Sequence, residues 1–386
     1  MEENILNVLN NNKIIPAKIR EARIARGLSL KELSEKVGVT SQAISQYELG
    51  TSIPSAVIFL NLVNELEFPS TFFYQETAVN NIISNSATYF RSNKNISKKV
   101  KDALKIRIQW LDNINEYMLK YVNLPIADLP NFDDLLDDEE FNRIAIEEIA
   151  LRLREYWKLG ESPITNMVNL LQKKGFVISK IKFNNKKIDA FSQWYNGKPY
   201  IVLGNDKGSA VRSRFDLAHE LGHLIMHKNI NQEDLSNKIV LDRIEKEADM
   251  FAAAFLLPLT SFNKEVISSS INHFTILKKR WKVSIAAMIR RCQDGEILTD
   301  NQIRYLKSQM IKEGYYKKEP LDDEIEGEMP YLFKQVFNLL LDNNLLNKSE
   351  ILDQISLNSD EAETIFCLEP GYFESESKPI ILAQIK

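Results

Sequence analysis

Residues 215–227 read FDLAHELGHLIMH, and the fold turns on this stretch. Leu217, Ala218, Leu221, Leu224 and Ile225 recur at the spacing of a buried helix, so His219 and His223, four residues apart, share one face and Glu220 stands beside them. Two imidazoles placed so can reach one cation, and the neighbouring carboxylate can move a proton. The bland alternative is a helix whose histidines merely cap or pack, but the whole chain holds only 4 histidines, which makes a chance match hard to arrange. His227 continues the series one turn further, about 6 Å along the axis. It reads as a helix-end or supporting residue and not as a ligand.

Two imidazoles alone hold zinc poorly; a catalytic ion takes a third protein ligand and keeps a position for water. The next helical run, LDRIEKEADMFAAAFLLP (residues 241–258), offers Glu245, Glu247 and Asp249. Glu247 is taken first and Glu245 is the alternative. The 2 cysteines, Cys292 and Cys367, are far apart and lack metal-type spacing, which argues against a thiolate site and against a disulfide framework. Histidine and carboxylate must then hold the ion, a donor set that favours Zn2+ without excluding manganese. Bound zinc brings the pKa of its water towards about 7. Glu220 is then suited to accept a proton and pass it to a leaving amine, hydrolysing a peptide bond without a covalent intermediate. For the oxyanion the candidates are His273, Tyr195 and Tyr200, though ordinary packing explains each as well.

Upstream of this helix the periodicity changes. FVISKIKF (176–183), DAFSQWY (189–195) and PYIVLG (199–204) read as short strands of a small antiparallel sheet. PYIVLG, next to the metal helix, offers an edge on which an extended substrate backbone can pair. Helices are expected around 141–159 and 164–174. PIADLPNFDDLLDDEE (125–140), with two prolines and an acidic run, marks a domain boundary near Glu140.

Near the N-terminus, Ser29 and Glu32 form a capping box that opens a helix through Val37. Gly38-Val39-Thr40 then turns into SQAISQYE, a helix-turn-helix layout. Leu30, Leu33, Val37, Val39 and Ile44 form its core. Ser41, Gln42, Ser45 and Gln46 are left on the exposed start and face of the second helix, where amides and hydroxyls read base edges. Lys31, Lys18 and Arg20 suit phosphates. Residues 13–48 carry 7 Lys or Arg against 4 Glu, a local charge of +3 inside a chain of net charge −4. Docking or dimerisation is the non-DNA reading of such a module. The basic run from Lys94 to Arg107 is read as a solvated helix face.

These motifs resemble known families. FDLAHELGHLIMH followed by EKEADMFAAAFLLP is similar to the ImmA/IrrE zinc peptidases, over roughly Glu140 to Arg291 and weakly through RWKVSIAAMIRR (280–291). The acidic residue before Ala248, then Phe251, Ala252 and Pro258, follows that family's pattern and selects Glu247 as third ligand. LSLKELSEKVGVTSQAISQYELGTSIPS (28–55) resembles the Xre/lambda-repressor helix-turn-helix. The resemblance implies a zincin-type fold and a peptidase that cuts, or triggers removal of, a helix-turn-helix repressor.

With 386 residues, 44% hydrophobic and 26% charged, the chain is long enough for two or three domains. The expected class is α+β, mostly α. Residues 1–75 form an all-α helix-turn-helix domain, 76–139 a helical connector, 140–294 the zincin-like domain with its small antiparallel sheet, and 295–386 a helical C-terminal region. Residues after Gly295 show amphipathic helices without catalytic spacing, and packing on the protease is their simplest use. No apolar run approaches the roughly 20 residues that span a bilayer, and the first residues lack a basic-then-apolar leader, so a cytoplasmic protein is expected. Its expected function is a DNA-binding zinc metalloendopeptidase that regulates transcription by cleaving a repressor or antitoxin-like partner. Its partners would be double-stranded operator DNA, a helix-turn-helix repressor as substrate, and a second copy of the chain as a homodimer, with no membrane. The alternative is a helix-turn-helix transcription factor whose peptidase-like domain senses a ligand or metal without turnover.

Overall fold

The computed structural model describes residues 13–74, 88–92, 97–132, 134–135, 141–183, 188–205, 209–231 and 233–374. Lys94 and the expected boundary residue Glu140 lie outside the described residues. Two compact units are present. One takes Met1–Ile82, Ser97–Asn123 and Tyr331–Lys386, the other Ile83–Ile96 and Leu124–Pro330.

In the first unit, α1 (Pro16–Ala25), α2 (Leu30–Val37), α3 (Ser41–Leu49) and α4 (Ala56–Leu66) follow the expected helix-turn-helix. The Ser29 hydroxyl accepts from Glu32 N at 3.1 Å while the Glu32 carboxylate accepts from Ser29 N at 2.6 Å, closing the capping box. Gly38, at φ +80, ends α2 in the left-handed conformation that only glycine adopts freely, and Thr40 caps α3. Leu33, Val37 and Ile44 are buried with Ile19, Ala22, Phe59 and Leu62, while Leu30 and Val39 are half-buried. The same unit includes α5 (Lys98–Met118), whose Trp110 Nε1 donates to Glu21 at 2.7 Å. It also includes α14 (Leu332–Asp342), α15 (Lys348–Ile355) and α16 (Ser359–Ile365), anchored by Glu361 on Arg26 at 2.8 Å.

The second unit has a four-stranded sheet in the order β1-β3-β4-β2, from β1 (Thr88–Ser92), β2 (Val177–Ile181), β3 (Ile188–Tyr195) and β4 (Lys198–Gly204). The β3–β4 hairpin is antiparallel, but β2 runs parallel to β4. β4 is therefore interior, with both edges paired. PYIVLG has no free edge for a substrate, and that expectation is corrected. β1 adds a strand that the sequence reading does not contain. Around the sheet lie α6 (Arg143–Tyr156), α7 (Met167–Lys173), α8 (Ala210–Met226), α9 (Lys238–Leu256), α10 (Leu259–Glu265), α11 (Ile271–Trp281), α12 (Ile285–Asp294) and α13 (Asp300–Lys312). α8 packs beneath β3, α9 beside α8, and their apolar residues share one core with α6, α11 and α12. Among the described residues no helix is long and apolar enough to cross a membrane.

The units do not follow four segments in series. The chain joins the second unit at Leu124, ahead of Glu140. Asp128 fastens that stretch by accepting from Lys174 Nζ at 2.7 Å and Tyr156 Oη at 2.8 Å. Residues 295–330 stay with the second unit, where Glu328 accepts from Met167 N and Val168 N at the start of α7 and pairs with Arg214. Local periodicity carries no information about such long-range ties.

A buried ion cluster joins α11 to the start of α8 and α12. Lys278, fully buried on α11, donates to Glu319 at 2.8 Å and Asp322 at 2.6 Å. Glu319 also accepts from Ile285 N and Ala286 N, and Asp322 from Ser209 Oγ. Burial works to raise the Asp322 pKa, but hydrogen bonds from Lys278, Glu319 N and Ser209 hold it below its ordinary 3.8. Its ionised form thus favours folding at neutral pH, and the contribution fades as pH falls below 3.8 through its depressed value. Lys278→Met should destabilise this unit by about 3–5 kcal/mol at pH 7 by stranding buried carboxylates. In thermal melts the deficit against wild type should shrink below about pH 4.

Candidate metal centre and nucleic-acid interface

Helix α8 is buried over most of its length, and all of residues 216–226 lie out of solvent. Its sheet-facing side carries Glu220, whose Oε2 accepts from Ser192 Oγ on β3 at 2.5 Å. Trp194 Nε1, two residues along β3, donates to Leu224 O at 2.9 Å. A neighbouring face turns His219 and His223 towards α9. Gly222 makes this approach possible, since a Cβ there would sit 3.0 Å from Phe251 Cδ1.

The two Nε2 atoms are 3.0 Å apart. The Glu245 carboxylate straddles them, 3.5 Å from His219 Nε2 and 3.4 Å from His223 Nε2. Four-coordinate zinc, with bonds of about 2.0–2.1 Å, separates neighbouring ligand atoms by about 3.3 Å. One ligand atom from each of the three residues lies within 4.8 Å of the others, close enough to share one ion, and the donor set of two imidazoles and a carboxylate suits zinc. Burial depresses the His223 pKa, the neutral form a ligand needs. Burial acts to raise Glu245, yet hydrogen bonds to His219 and His223 hold its carboxyl well below the usual range.

Glu247 is not at this point, which corrects the choice of third ligand. Two residues on a helix turn about 200°, so Glu245 and Glu247 look in opposed directions and only one can face α8's imidazole pair. The Glu247 Oε2 meets His227 Nε2 at 2.9 Å and its Oε1 accepts from Phe141 N at 3.2 Å. Asp249, four residues after Glu245 and on the same face, meets His219 Nδ1 at 2.8 Å. A carboxylate there holds the ring so that its other nitrogen points at the ion. The repeat E-x-x-x-D starting at Glu245 was the available signal. It shows only when the helical phases of Glu245, Glu247 and Asp249 are compared with one another.

None of the three oxyanion candidates joins the group by the same accounting. Ser192 and Trp194 point to α8, so Gln193 and Tyr195 point to the other side of the sheet. Tyr200 pairs with Gln193 and shares that face, packing on Tyr195. His273 is held by its Nε2 against Glu265 O at 2.9 Å.

In the first unit, Lys31, Ser41, Gln42 and Gln46 are exposed and Ser45 is half-buried. Lys31 Nζ lies 3.9 Å from Glu35 with its side chain 82% exposed, so it is available to another anion. α3 presents Ser41, Gln42 and Ser45 within its first turn and a half, the part of a recognition helix that meets base edges. Lys18, by contrast, is buried and paired with Glu21 at 2.9 Å. That removes it from the expected phosphate contacts.

Two regions match known protein families. Residues 19–73 match the helix-turn-helix family and residues 171–293 the IrrE N-terminal-like domain. Among curated proteins, the metallopeptidase ImmA of Bacillus subtilis (strain 168) is 29% identical over 85 residues, covering 19% of this chain and 49% of ImmA. The chain spans about half the length of this curated relative. The second match covers β2 to α12 and so contains His219, Glu220, His223 and Glu245. The chain is therefore similar to the helix-turn-helix family over residues 19–73 and to the IrrE N-terminal-like domain over residues 171–293.

Proposed function

We propose that this protein is a cytoplasmic, DNA-binding zinc metallopeptidase that regulates transcription by cleaving a helix-turn-helix repressor or antitoxin-like partner. One observation carries the reading: His219, His223 and Glu245 converge to within 4.8 Å of one another, with Glu220 next to His219 on the same helix. His219, His223 and Glu245 would hold the ion. Zinc bound there supplies a Lewis acid for the scissile carbonyl and makes water acidic enough to lose a proton near neutral pH. Glu220 takes the proton of the attacking water and delivers it to the leaving amine. Ser192 holds one oxygen of Glu220 in place through the 2.5 Å hydrogen bond, so the carboxylate need not reorganise during the transfer.

The helix-turn-helix supplies the regulatory half of the proposal. Ser41, Gln42, Ser45 and Gln46 read base edges of an operator, and Lys31 holds a phosphate. A homodimer would place two such helices on successive half-sites.

Wild type and Glu220→Gln should both bind close to one equivalent of zinc. With helix-turn-helix repressors encoded beside the gene, Glu220→Gln should cut about 10²–10⁴-fold more slowly. Zinc binding without cleavage of any such partner would favour the sensing transcription factor, and a protein that takes up no metal would sink the metal reading. Glu245→Gln should lose stoichiometric zinc in the same assay. On an operator recovered from a random duplex pool, Gln42→Ala should cost about 1–3 kcal/mol and relax the preference at one position. Lys31→Ala should weaken all sequences alike and lower the salt slope by about 1. Fluorescence anisotropy across salt concentrations separates the two.

A further inference from the structure

Beyond the ligands, α8 runs one more turn to His227, which is 1% exposed. His227 Nδ1 lies 2.9 Å from His223 Nδ1, and His227 Nε2 lies 2.9 Å from Glu247 Oε2. The other Glu247 oxygen accepts from Phe141 N at 3.2 Å, and Glu247 itself is 5% exposed. A continuous buried chain thus leads from the metal-facing imidazole to a carboxylate.

The protons along this chain have one arrangement compatible with ligation. His223 must offer a lone pair at Nε2, so its proton sits on Nδ1 and is donated to His227 Nδ1. His227 then carries its own proton on Nε2 and donates it to Glu247. Were His227 to donate at Nδ1 instead, His223 would have to carry its proton on Nε2, aimed into the space between His219 and Glu245, and ligation would fail. Glu247 favours the first arrangement because a carboxylate only accepts.

We propose that His227 and Glu247 are positioning residues that lock His223 into its metal-ligating tautomer and raise the zinc affinity of the site. The proposal rests on the metal reading above. His219 has its own support in Asp249, so the two imidazoles are braced separately, one by a carboxylate directly and the other through an intervening histidine.

The test measures zinc affinity by competition with a chromophoric chelator, the cobalt(II) absorption spectrum, and the unfolding midpoint of each metal-free protein. His227→Phe removes both hydrogen bonds and should weaken zinc by about 10–100-fold. Because it takes the donor away from one Glu247 oxygen, the double variant His227→Phe/Glu247→Met is measured beside it and should show the same loss. His227→Gln retains an acceptor and a donor, and should recover most of the affinity together with the wild-type cobalt spectrum. Zinc affinity within twofold of wild type in the double variant would overturn the proposal. So would a Gln variant that binds no tighter than Phe, because the loss would then be one of packing. His219→Ala separates the two levels: if wild type binds zinc and His219→Ala does not, the metal reading stands whatever the His227 series shows. If wild type binds none, both fall.

Discussion

How closely α8 approaches α9 governs the whole candidate centre. Two ligands stand on one helix and the third on the other, so the site exists only if the helices meet with the right faces and spacing. Gly222 sets the spacing by letting the Phe251 ring close against bare backbone. Phe251 and Phe255 stack on α9 with nearly parallel rings and bury with Leu217, Leu221 and Leu224 of α8. The apolar seam fixes the rotation of each helix, and that rotation carries Glu245 to the imidazoles and Glu247 away from them.

The polar groups inside this seam are costly to bury, and hydrogen bonds from several elements hold them. Glu220 is held from β3, His219 from Asp249, and His223 from His227. An unpaired charge at such depth would cost several kcal/mol, about 3–5 when one partner of a buried pair is lost. Because the partners come from β3, α8, α9 and the backbone at Phe141, the geometry of the centre is tied to elements far apart in the chain. Rigid placement of that kind keeps reacting groups aligned without reorganisation.

Among the described residues the chain passes between its two compact units at 123–124 and again at 330–331. The helix-turn-helix unit is completed by α5 and by the C-terminal helices, through Trp110 on Glu21 and Glu361 on Arg26. The second unit takes β1 from the stretch that precedes α5. A residue's position in the chain is therefore a poor guide to its unit, since contacts and not chain order define a domain core.

Much was legible in the sequence because it rests on short-range rules. The helical period put His219, Glu220 and His223 together, the capping box and Gly38 announced the helix-turn-helix, and short β-rich runs marked β2, β3 and β4. Those signals act within a turn or a strand, where backbone geometry leaves few options. What needed the tertiary structure was every choice that depends on a second element: Glu245 over Glu247, the far-side placement of Tyr195 and Tyr200, the interior position of β4, and the partition of residues 76–139 and 295–386 between units. Helical phase narrows such choices, but only packing against another surface decides which face turns inward, because the free energy that settles it comes from burial between elements distant in sequence.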